Sequence, residues 1–162
     1  MQFAQIRDRV GAEPKSAGAG NLSTLAGVWV NSNPETTGIT RMVITQSGSQ
    51  LSLRVYAIGP EGLPEGLPEG LPEGLPEGLP EGLPEGLIDW GSVDIEVFTA
   101  TPASQVAAGF TCLYDFGFVE TRLQAMILKG LIVLAQIHKF KGSDKRVDYF
   151  VREYFALEHG RY

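Results

Sequence analysis

From Leu25 to Leu157 the chain alternates between apolar and polar positions in short runs, punctuated by Gly, Pro, Asn and Asp. Leu51, Leu53 and Val55 alternate with Ser52, Arg54 and Tyr56, and Val93, Ile95 and Val97 alternate with Asp94 and Glu96. A period of two is the signature of a strand with one face buried. The pattern predicts eight strands, over 25–31, 39–45, 51–58, 92–99, 107–116, 118–129, 131–140 and 147–157. The turns between them carry the expected chemistry: Asn33-Pro34, Thr37-Gly38, Ser47-Gly48, Asp115-Phe-Gly117, Gly130 and Gly142. Leu131-Ile-Val-Leu-Ala135 is apolar on both faces, which periodicity alone also allows for a buried helix. Its β-branched content favours a strand, and an outward apolar strip there would mark a contact between copies.

Eight runs with hairpin-sized connections imply an all-β fold, an antiparallel up-and-down barrel, which leaves no open edge. A β-sandwich or jelly roll is the structural rival. Seven unbroken copies of Pro-Glu-Gly-Leu, from Pro60 to Leu87, interrupt this meander between the third and fourth runs. Proline and glycine at every fourth position forbid helix and central strand. Extended polyproline-like chain or a string of β-turns remains. The expected organisation is a flexible N-terminal arm over 1–24, one barrel domain over 25–59 and 88–162, and the repeat insertion over 60–87. Phe3 to Val10 is expected to form two helical turns only when docked.

Charge refines this picture. The net charge of −6 resides in the seven repeat glutamates; the remainder holds 13 basic and 12 acidic residues. That balance, without a basic stripe, argues against nucleic acid as a partner. No apolar run approaches the roughly 18 residues of a membrane helix, and no secretory signal is visible, so a cytoplasmic location is the default expectation. The single cysteine, Cys112, excludes an internal disulfide and a thiolate zinc cluster. No cofactor and no metal site are expected.

Few residues invite chemistry. His138 with Asp148 or Glu153 offers an acid–base pair, though a surface strand histidine is the plainer expectation. His159 near the C-terminus is expected to be exposed. Cys112 is expected to be a small core thiol. Arg41, Arg122 and Arg152 fall on strands, and any that points inward needs a carboxylate such as Glu120 or Glu153. Trp90, just after the repeat, is expected to anchor its return onto the barrel. Aromatic residues gather late in the chain, Tyr114, Phe116, Phe118, Phe140 and Tyr149 among them, and suit either a filled core or an apolar cavity.

Leu25-Ala-Gly27-Val-Trp29 resembles the Gly-x-Trp signature of calycins, the lipocalin and avidin barrels, and Trp29-Val-Asn31 is similar to the Trp-x-Asn of avidins. The resemblance implies that Trp29 plugs the barrel and that Asn31 looks into a ligand site. Gly27 and Trp29 would be structural, and Arg152 would lie across the tryptophan. The chain departs from avidins in having only Trp90 as a further tryptophan, so biotin is not expected as a ligand. The chain is also similar to small bacterial barrel-like proteins of unknown role, through Trp29, Asn31, Gly38, Ile39, Arg41, Asp89, Trp90, Gly91, Arg146 and Tyr149.

These readings lead to a non-enzymatic structural or assembly module, in a homo-oligomer or larger assembly, with the repeat as spacer and the arm as docking segment. The alternative is a calycin-like binder of a small apolar or amphipathic molecule, with Trp29, Asn31, Arg41 and Tyr114 as candidate ligand residues. A barrel isomerase or cyclase is the third reading. Gly27, Trp29, Trp90 and Arg152 are the structural candidates.

Overall fold

The computed structural model describes residues 21–58 and 87–159. The expectations for residues 1–20, for Gly59 and all of the repeat over 60–87 except Leu87, and for 160–162 lie outside the described residues.

A single 3-10 turn, Leu22–Thr24, precedes nine strands. They are β1 (Gly27–Asn31), β2 (Ile39–Ser47), β3 (Gln50–Ile58), β4 (Leu87–Asp94), β5 (Glu96–Thr99), β6 (Ala107–Asp115), β7 (Val119–Leu128), β8 (Leu131–Phe140) and β9 (Tyr149–Leu157). All belong to one antiparallel sheet, in the order β4-β3-β2-β1-β9-β8-β7-β6-β5. The expected count of eight is corrected to nine because the fourth run divides at Ile95. Its first part pairs with β3 and its second with β6, while the Ile95 N–H donates to the Leu51 carbonyl at 3.1 Å. One bent segment thus supplies both edges of the sheet, and β1 pairs with β9, so the wall curls into a nearly closed barrel. The fourth run also begins earlier than expected, at Leu87. Leu87 pairs with Ile58, so the described residues on either side of 59–86 are neighbours on adjacent strands.

The barrel has two unlike ends. At the end carrying the 3-10 turn it is packed solid by Leu25, Leu51, Leu53, Phe110, Leu123, Ile132, Leu134 and Phe155. Trp29 closes this end, 2% exposed, with its indole N–H donating to the Leu25 carbonyl at 2.8 Å. Gly27 makes that plug possible: its φ is +140°, and a Cβ there would lie 2.8 Å from Leu157 Cδ1. At the opposite end, the mouth, strand ladders are incomplete. Beyond Thr111, β6 has no ladder partner on its β4 side. The Tyr114 hydroxyl spans this seam, reaching the carbonyls of Leu53 (3.1 Å) and Gly91 (3.0 Å). Trp90, Tyr114 and Phe116 fill it as an aromatic cluster, with ring centroids 5.2 to 5.9 Å apart.

Candidate functional site

The inward faces of β8 and β9 do not follow the apolar-in rule. On β8, Ile132, Leu134, Gln136 and His138 point inward, while Leu131, Val133, Ala135 and Ile137 point out. On β9, Glu153 points inward and Phe150 and Tyr154 point out. Cross-strand register brings the polar members together near the mouth: Thr121 opposes His138, which opposes Tyr149, and Gln136 opposes Val151 beside Glu153. They border a cavity of about 210 Å³ whose other walls include Ile39, Ala57, Ile88, Trp90, Phe116, Phe118, Val119 and Phe140.

Glu153 is the hub of the polar cluster. Its Oε1 accepts from Asn31 Nδ2 at 3.0 Å and from the Thr36 hydroxyl at 2.5 Å; its Oε2 accepts from Gln136 Nε2 at 2.6 Å. The orientations of these donors are fixed from behind. The Asn33 N–H donates to Asn31 Oδ1 at 2.8 Å, so the amide must turn its NH2 toward Glu153 and the Ile39 carbonyl. The Gly38 N–H donates to Thr36 Oγ1 at 3.1 Å, which aims the hydroxyl proton at the carboxylate. Gly38 also lets the backbone pass close by, since a Cβ there would sit 3.3 Å from Glu153 Oε2. The loop between β1 and β2, tied by side-chain turns at Asn31, Asn33 and Thr36, is thus a scaffold for one carboxylate.

His138 is 7% exposed and stacks on Tyr149 at 4.3 Å. Its Nδ1 shares a 2.9 Å hydrogen bond with the Thr121 hydroxyl. Burial lowers its pKa, which favours the neutral ring. His138 lines the cavity, and its Nε2 has no hydrogen-bond partner among the described residues. At the rim the Arg146 guanidinium covers the rings of Phe140 (4.3 Å) and Phe118 (5.2 Å) while bound to Asp144 through Nε at 2.9 Å. That contact holds the Asp144 carboxyl down at about 2, chiefly through the Arg146 side-chain hydrogen bond.

The candidate residues from the sequence fall in different places. Asn31 borders the polar cluster as Glu153's donor. Trp90 sits in β4 and lines the cavity. Tyr114 lies behind it as the seam bolt. Trp29 and Gly27 lie in the solid half, away from the cavity lining. Arg41 faces outward and pairs with Glu158 at 3.2 Å. Arg152 is exposed on the outer face of β9, and Arg122 is exposed on β7. The cation–ring contacts among the described residues involve Arg54 and Arg146, so Arg152 does not cover Trp29. Cys112 is buried in the core, its thiol pushed up to about 12 by desolvation. His138 is a correction: it faces inward, where a surface position was expected. Glu153, named only as a possible partner for His138 or an arginine, proves central, and Gln136, Thr36 and Thr121 were not singled out. The available signal was Gln136 and His138 at one parity of β8; Thr36, in the β1–β2 loop, and Thr121, on β7, carried none.

The described residues contain no group of three metal-ligating side chains and no helix long and apolar enough to cross a membrane. Comparisons with protein-family models, with curated proteins and with solved structures gave no match to this chain.

Proposed function

We propose that the barrel binds one small amphipathic molecule in its mouth, with an apolar body against the aromatic wall and a polar end at the Glu153 cluster. The observation that carries this is the inward placement of Gln136 and His138 on β8 and of Glu153 on β9, against the apolar-in rule. Burying Gln136 and His138 and half-burying Glu153 while leaving Phe150 and Tyr154 exposed runs against stability, and such local violations concentrate at functional sites. The solid half of the barrel supplies the rigidity, and the mouth supplies the space. A dry apolar cavity of about 150 Å³ holds one benzene. The 210 Å³ here therefore suits one ring with a short polar tail. The test is calorimetric titration with 2-phenylethanol, a neutral probe of that size, on the wild type and on Val151→Phe, which fills the cavity from β9. Saturable one-to-one binding that the variant loses supports the reading; no heat with either protein overturns it.

A second reading has its own observation. The outer face of β7–β9 carries an apolar strip in cross-strand register: Met126, Val133 and Tyr154 in one row, Leu128, Leu131 and Ala156 in the next, Ile137 beside Phe150. A strip of this kind suits contact with a second copy of the chain. Light scattering on the wild type and on Met126→Lys/Phe150→Glu tests it. Dimers that the double variant dissolves support assembly; a wild-type monomer at high concentration removes it.

A further inference from the structure

The polar end of the cavity keeps acceptor capacity at Glu153 and Gln136. Glu153 receives three hydrogen bonds, two on Oε1 and one on Oε2, so Oε2 keeps room for another donor. Gln136 gives its NH2 to Glu153. Its carbonyl oxygen has no partner among the described residues, and Gln136 lines the cavity. No Lys or Arg is among the described lining residues, and no basic side chain described comes within ion-pair distance of Glu153. The carboxylate is therefore surrounded by neutral donors alone, in a site whose remaining walls are mostly apolar and aromatic. Neutral donors satisfy three of its four lone-pair sites but leave its charge uncompensated among mostly apolar walls, which is costly.

We infer that the ligand is an organic monocation, a primary or secondary ammonium on a small aromatic or aliphatic body, with its N–H groups on Glu153 Oε2 and the Gln136 carbonyl. This rests on the reading of the mouth as a small-molecule site. An ammonium brings what the site lacks: a positive charge and two or three donors on one atom. The rings of Trp90, Phe116 and Tyr149 around the cavity add favourable quadrupoles for a cation. The Arg146 guanidinium at the rim is held by Asp144, so it does not set the sign of the site. A carboxylate ligand would meet Glu153 at short range and is excluded by like-charge repulsion. A neutral alcohol keeps the apolar contacts and one hydrogen bond but forgoes the charge.

The experiment is a calorimetric comparison of three near-isosteric probes: 2-phenylethylamine, 2-phenylethanol and phenylacetate. The amine should bind about tenfold or more tightly than the alcohol, since a charge-assisted hydrogen bond is roughly twice as strong as a neutral one. Phenylacetate should not bind. Glu153→Gln should erase the amine's advantage over the alcohol, and that variant is first checked for an unchanged melting transition. Should it unfold, the three wild-type affinities alone decide the matter. Equal binding of amine and alcohol would overturn the cation assignment and leave the amphipathic-ligand reading standing. Tighter binding of phenylacetate would reverse the sign of the site. Failure of all three probes would overturn both.

Discussion

Replacing Tyr114 by Phe removes a single oxygen from the seam between β4 and β6. That oxygen reaches two backbone carbonyls, at 3.1 Å on Leu53 and 3.0 Å on Gly91. Gly91 lies where the β3–β4 register shifts, and it has no register partner, so this hydroxyl serves its half-buried carbonyl where the ladder lapses. A net hydrogen bond contributes about 1 kcal/mol, and a buried carbonyl left without a donor costs about 1–3 kcal/mol. The ring contacts with Trp90 and Phe116 survive in Phe, so no packing loss is added. The expected destabilisation is about 2–3 kcal/mol. For a domain of about a hundred residues that lowers Tm by roughly 8–12 °C. Differential scanning calorimetry at neutral pH reads it directly, with urea denaturation as a check that the unfolding slope is unchanged. A Tm within about 2 °C of wild type would refute the argument that this hydroxyl holds the barrel shut where its ladder lapses.

Three further outcomes follow from the same geometry. His138 is held neutral by burial, so its folded pKa lies below the unfolded value of about 6.5. The unfolded chain then takes up the extra proton, and stability should fall as pH drops below about 6.5, with Tyr149 and Glu153 the other titratable groups lining the same cavity. His138→Phe should flatten that part of the pH profile, as read by Tm from pH 7.5 down to 5. Gly27→Ala should destabilise by about 1–3 kcal/mol in urea titration, because it places a Cβ at positive φ and against Leu157. Replacing residues 59–86 by an Asn-Gly turn should leave Tm unchanged or a few degrees higher, since Ile58 and Leu87 already pair and a shorter connection costs less closure entropy. A collapse of folding would contradict the last.

Most strands and turns were legible because alternation and turn chemistry agree. Leu51, Leu53 and Val55 all point inward as their spacing implies. Asp115 and Gly117 form the tight turn expected of them, with the Gly117 N–H on Asp115 Oδ1 at 2.9 Å. Leu131 to Phe140 is a strand as its branched residues suggested. Two features were hidden. Leu87 reads as the last residue of a repeat, yet it opens β4, because a strand's start depends on the partner Ile58 and not on local pattern. The parity of β8 was hidden for a stronger reason. Leu131, Val133, Ala135 and Ile137 form the more apolar set, and hydrophobicity alone turns them inward. The register with β7 and β9 turns them out and puts Gln136 and His138 inside, beside Glu153 and Thr121. A rule based on burial could not find a site whose residues break that rule.

The chain has only two tryptophans, and they mark opposite ends of the barrel: Trp90 in the mouth and Trp29 in the solid end. The decisive measurement is therefore a two-dimensional ¹H–¹⁵N spectrum of the indole N–H groups during titration with 2-phenylethylamine. The expected result is a saturable shift of the Trp90 signal with Trp29 stationary. A stationary Trp90 at saturating amine, or a shift confined to Trp29, would contradict the placement of a ligand site in the barrel mouth.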